Sequence, residues 1–157
     1  MRAEVIANTF LRYAFREGIV MPHRKLHKLL YFAYKDYLRR SGGALFADPF
    51  YALECGPVVM RVYEKLAQYK RDGFVTRFIE DEETGMVQVV REGGNERSLA
   101  ILEVWERFKN HSADELSEIT HLEGGAWHKA RLRRGRGGLE VVNPSIDPDD
   151  IRAESAS

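Results

Sequence analysis

Three histidines, a lone cysteine and a run of basic residues hold the groups in this chain that could do chemistry. His23 and His27 stand four residues apart, so one helical face can present both to a metal ion. Two ligands do not fill a zinc shell. No third ligand follows at a matching spacing, and no glutamate lies between them where a zinc hydrolase carries its base. Packing or solvated histidines are therefore expected. Cys55 and His121 could pair as nucleophile and base. Cys55, however, adjoins Gly56-Pro57 in an apolar setting, where a free cysteine behaves as a small hydrophobe. Lys129, Arg131, Arg133, Arg134 and Arg136 form a basic run of the kind useful on a phosphate backbone. No aromatic is interleaved after Trp127, and Asp147, Asp149, Asp150 and Glu154 can neutralise it, which favours a solvated or internally paired face. Thr120, His121 and Trp127 stand close together beside glycines. Buried Trp and His side chains take polar partners, so this stretch reads as a hydrogen-bonded corner, either structural or part of a pocket.

The rest of the composition narrows the choice. The 157 residues make about one domain, and 44% hydrophobic with 31% charged residues fits a globular chain. Formal net charge is zero, so nothing global attracts nucleic acid or acidic membranes. One cysteine cannot staple its own chain. No apolar run reaches the length of a membrane span, and Glu4 and Asn8 interrupt any signal-like N-terminus, so a cytoplasmic protein is expected. Phosphate-cradling glycine loops and nucleophile elbows are missing.

The elements that must position these groups follow from periodicity. Val5, Ile6, Phe10, Tyr13 and Ala14 predict a helix over Ala3 to Arg16, closed by Gly18. Leu26, Leu29, Leu30, Ala33 and Tyr37 predict a second, ending near Ser41-Gly42-Gly43. Gly56-Pro57 reads as the start of a third, with Val59, Val62, Tyr63 and Leu66 as its stripe. Phe74 to Ile79 and Met86 to Val90 read as a β-hairpin around an exposed, mobile acidic tip, Glu80 to Glu83. Leu99, Ile101, Leu102, Trp105 and Phe108 mark a fourth helix. Ser112 with Glu115 forms a capping box for a short fifth, and a last helical turn runs from Trp127 to Arg133. Leu29, Leu30, Val59, Val62, Leu102 and Trp105 are expected in one core. The fold class is thus mainly α with a small β-hairpin: a single compact domain over 1–143, then a fraying polar, acidic tail over 144–157.

Several segments together resemble the Panacea domain family, which includes SocA-like phage-associated proteins and antitoxins. Lys25-Leu26 with Lys28-Leu29-Leu30-Tyr31 is similar to its second-helix signature. Gly56-Pro57-Val58-Val59 with Val62-Tyr63 is similar to its most recognisable piece. Ser112-Ala113, Glu115-Leu116-Ser117, Thr120-His121, Glu123, Trp127, Ala130 and Arg131 resemble its C-terminal signature. The likeness covers positions 3 to 135. Met60 departs from a frequent proline, and the glycine pair before Trp127 departs from a shorter form. The resemblance implies an antitoxin that binds and blocks a cognate protein toxin, or an adaptor that hands the toxin to a cytoplasmic protease, with no catalysis, metal or cofactor. It makes Lys28, Tyr31, Glu54, Gly56, Pro57, Tyr63, Thr120, His121 and Trp127 the expected partner-binding residues. Lys28, Tyr31 and Glu54 are the expected hydrogen-bond partners of Thr120 and His121, under the Trp127 ring. The alternative is a nucleic-acid-binding repressor that uses Lys129 to Arg136.

Overall fold

The computed structural model describes residues 1–70, 73–122, 124–133 and 135–154. Seven helices and one two-stranded hairpin appear among them: α1 Ala3–Glu17, α2 His23–Ser41, β1 Tyr51–Leu53, β2 Gly56–Val58, α3 Met60–Leu66, α4 Glu96–Phe108, α5 Ala113–Thr120, α6 Ala126–Arg131 and α7 Pro148–Ala153. The chain is mainly α with a small antiparallel hairpin, as its composition and periodicity predict. No helix among the described residues is long and apolar enough to cross a membrane.

The other elements surround α2. It packs against α1, α3, α4, α5, α7 and β2, and residues on every side of it are buried. A helix apolar on one stripe faces one neighbour; one enclosed all round must bury its polar residues too. Lys25, Lys28 and Lys35 are 3%, 1% and 3% exposed, and each reaches a different distant segment. Lys25 donates to the carbonyl of Lys109, Lys28 to the carbonyl of Cys55, and Lys35 pairs with Glu154. A buried ammonium is costly unless such an acceptor is at hand. Local rules set the ends of the first two helices. Gly18 and Gly42 adopt left-handed conformations with φ of 67° and 77°, and each amide closes its helix on a carbonyl of the last turn.

Five expectations are corrected. The hairpin is not at Phe74–Val90 but at Tyr51–Val58, with Leu53 opposite Gly56 across a Glu54-Cys55 turn. The Phe74–Val90 arms are satisfied by side chains of α1 instead. Asn8 Nδ2 donates to the carbonyls of Ile79 (2.9 Å) and Gln88 (3.2 Å), while its Oδ1 accepts from Ile79 N (2.7 Å). Thr9 Oγ1 accepts from Val90 N. A side-chain amide offers the donor and acceptor that a neighbouring strand would. At the tip, Asp81 is half-buried and bonded to Thr84, Glu83 and Arg2, and Glu82 pairs with Lys65 at 2.8 Å, so the four acids are not uniformly free.

Gly56-Pro57 lies in β2 rather than opening a helix, since proline is also tolerated at the edge of a sheet. Over 144–154, the described part of the tail, the chain does not fray. Ala52 N donates to the Pro144 carbonyl and Ile146 N to the Phe50 carbonyl, both at 2.8 Å, so the tail runs alongside β1. Ile146 and Ile151 are buried with the core. Finally, Leu29, Leu30, Val59, Val62 and Trp105 are at most 1% exposed, but Leu102 is 38% exposed. The inward face of α4 is Ile101, Val104, Trp105 and Phe108, and a residue one step from Ile101 is turned about 100° away from it. Leu102→Ser is accordingly expected to change unfolding free energy by less than about 0.5 kcal/mol in a urea titration; a loss of core-like size would return Leu102 to the core.

Candidate functional site

Lys28 starts the chain of contacts that builds the site. Its side chain runs beneath the β1–β2 turn and donates to the Cys55 carbonyl. Burial is the main reason its pKa drops to about 8, with Arg24 adding to the drop and Cys55 opposing it. Gly56 makes the approach possible. Its φ of 127° belongs to glycine, and a Cβ there would collide with Lys28 Nζ and lie 3.2 Å from His121 Nε2. His121 caps α5 and stacks on Trp127, with centroids 4.0 Å apart and rings 11° from parallel. Trp127 Nε1 in turn donates to the Leu53 carbonyl at 2.7 Å. Thus α2, the hairpin, the end of α5 and α6 meet through Lys28, Gly56, His121 and Trp127. Pro57 is buried in the wall of the same hairpin.

Beside this cluster opens a cleft of about 540 Å³, with His23, His27, Glu54, Tyr63, Ser117 and His121 among its lining residues. Glu54 and Tyr63 are exposed at its rim. Two expected members of the site point elsewhere. Thr120 Oγ1 donates back to the Ser117 carbonyl of its own helix at 3.1 Å. Tyr31 donates to Glu154 Oε1 at 2.6 Å, on the side held by the tail; burial and then that carboxylate raise its pKa. The hydroxyl of Thr120 is thus taken by its own helix, and that of Tyr31 by the tail, rather than by each other or by His121. Cys55, expected in an apolar setting, is exposed at the tip of the two-residue turn and lines the cleft.

His27 was legible in the sequence as a packing histidine but not as part of this site. It is 4% exposed, its ring lies 5.8 Å from that of Tyr63, and neither ring nitrogen has a hydrogen-bond partner. Burial, with Lys28 and His23 adding positive charge, pushes its pKa down to about 3. Burial and then Lys28 also lower that of His121, with the nearby Cys55 backbone opposing them. A histidine that titrates at 6.5 when unfolded and near 3 when folded contributes stability above pH 6.5, and that stability is lost as pH falls towards 3. The urea midpoint is therefore expected to fall more steeply from pH 7 to pH 4.5 in the wild type than in His27→Phe. Parallel profiles would show that His27 does not titrate in this way.

No group of three or more His, Cys, Asp or Glu among the described residues could hold a metal ion. In the basic run, Lys129 lies 3.7 Å from Asp150, and Arg131 donates to the carbonyls of Ala52 and Val142. Both are occupied within the fold. Arg134 of that run and Glu123 of the signature lie outside the described residues. No curated protein and no solved structure matches the chain. A family model described as "Antitoxin SocA-like, Panacea domain" matches residues 26–128, a span that holds Lys28, the hairpin, Tyr63, His121 and Trp127. With more than half of its 157 residues inside that match, the chain belongs to the SocA-like antitoxin, Panacea domain family.

Proposed function

We propose that this protein is an antitoxin that neutralises a cognate protein toxin by direct contact and without catalysis, with the cleft and the Lys28–Gly56–His121–Trp127 cluster at the docking face. The observation that carries the reading is the position of the family match: the residues within 26–128 that lie far apart in sequence converge on this one surface. Its rim offers the exposed Tyr63 ring, and a partly exposed aromatic beside buried polar groups is a common anchor at protein interfaces. His121 holds the stacked corner, so it acts here through the shape of the surface and not as a base.

The test is co-expression with the product of the adjacent gene, read as growth rescue and as pull-down. His121→Ala is expected to weaken binding about tenfold, which is about 1.4 kcal/mol, while the variant keeps its melting temperature within a few degrees. Full neutralisation by a folded His121→Ala protein would overturn the docking face. Rescue that disappears in a host lacking its cytoplasmic proteases would make the protein an adaptor for degradation; rescue that persists there fits neutralisation by blocking.

A further inference from the structure

The cleft contains an accumulation of unsatisfied polar groups. Eight buried side-chain nitrogen and oxygen atoms among the described residues lack a hydrogen-bond partner, and four of them belong to residues that line this cleft: both ring nitrogens of His27, Ser117 Oγ and His121 Nε2. They come from α2, from α5 and from its C-cap. Leaving such an atom unpaired in the interior is costly. Two helices, α2 and α5 with its C-cap, bring such atoms to one cleft, which makes a receptor for a group that can pair with the donors among them.

We propose that the cleft receives a single carboxylate, an aspartate or glutamate side chain of the partner protein; this rests on the neutralising reading above. The chemistry favours that group. Each neutral imidazole keeps one N–H, and the serine adds a hydroxyl donor, while a carboxylate offers two acceptor oxygens with about four lone-pair sites. The field at the floor is positive, since Lys28 Nζ lies against Gly56 and Arg24 lines the wall. That field is partly spent, however: Lys28 already donates to the Cys55 carbonyl and Arg24 pairs with Asp114 at 2.8 Å. Glu54 also stands at the rim. A monoanion suits such a site better than a phosphate dianion. In a desolvated cleft the charge-assisted bonds are stronger than neutral ones. The exposed Tyr63 beside the opening gives the residues flanking the carboxylate an apolar surface.

The probe for the isolated protein is sodium acetate, with sodium phosphate and sodium chloride at equal ionic strength as controls. Acetate is expected to shift the imidazole nitrogen resonances of His27 and His121 saturably at millimolar concentration, and chloride and phosphate to leave them in place. Ser117→Leu, a change at a half-buried position that plugs the cleft without touching the core, should abolish the shift, as should His27→Gln if that protein folds. Shifts with phosphate alone, or none with any salt, would overturn the proposal. In pull-down of the adjacent gene product, Ser117→Leu should weaken binding at least tenfold, and one acidic residue of that partner, mutated to its amide, should do the same. A partner that binds both Ser117→Leu and wild type equally would sink the carboxylate site and leave the neutralising reading standing. Acetate shifts without any bound partner would sink both the partner origin of the carboxylate and that reading.

Discussion

Gly56→Val is expected to unfold the β1–β2 turn and abolish neutralisation together, at a cost of about 4 kcal/mol. A non-glycine residue forced into a left-handed or mirror-region conformation costs about 1–3 kcal/mol. The new side chain also drives Lys28 off the Cys55 carbonyl, and a lost hydrogen bond to a charged group costs a further 1.5–3 kcal/mol, roughly. Gly18 supplies the control. It too has positive φ, but a Cβ there meets nothing within 4 Å, so Gly18→Ala carries the backbone strain alone, about 1–2 kcal/mol. Urea unfolding of the two variants separates strain from collision. Equal costs at the two glycines would show that Lys28 yields freely and that Gly56 matters only for its conformation.

Glu154→Ala should cost about 3 kcal/mol, the lower end for a buried pair that loses one partner. The carboxylate of this residue, close to the C-terminus, accepts from Tyr31 Oη at 2.6 Å and from Ala126 N at 2.8 Å, and it lies 3.4 Å from Lys35 Nζ. The side chains of Lys35 and Glu154 are 4% and 13% exposed, so the ammonium of Lys35 loses its carboxylate in a place with little access to water. Glu154→Gln keeps the shape and an acceptor for Tyr31, and a smaller loss is expected. Amide exchange should speed up in α6, whose first turn Glu154 caps, before it does in α1. If Glu154→Ala and the wild type unfold at the same urea concentration, the tail is a passenger and not a strap.

Helices were the most legible part of the fold, because their signals are local. The stripe of α2, the glycines after α1 and α2, and the Ser112–Glu115 capping box each involve residues at most a few positions apart. The structure shows each where the sequence places it. Leu102 shows the limit of the same reasoning: an apolar residue within a helical pattern is inward or outward according to where its neighbours in space stand, not according to its type. The hairpin shows it more strongly. Phe74–Val90 has the β-branched composition of strands, yet Asn8 and Thr9 of α1 meet its backbone groups. The strands form instead at Tyr51–Val58, where the sequence signal is the glycine-proline pair that also suits a helix start.

The site divides in the same way. Its residue types were visible as the family signature, and the stacking of Trp127 over His121 follows from their closeness in the chain. Which residue each would bond was not visible. Tyr31 found Glu154 across 123 positions, Thr120 turned back on its own helix, and the exposed turn carried Cys55 out of the core. By itself, the sequence determined α1, α2, α4 and α5, the glycine ends of the first two, the capping box of α5 and the family, since these depend on spacing and residue type along the chain; α7 and the start of α3 escaped it. The tertiary structure alone decided which lysine meets which carbonyl, that the tail closes over Tyr31 and Lys35, and that His27 joins Ser117 and His121 at one cleft. Those outcomes depend on which backbone groups are left unsatisfied when the helices pack, and that quantity exists only after they have packed.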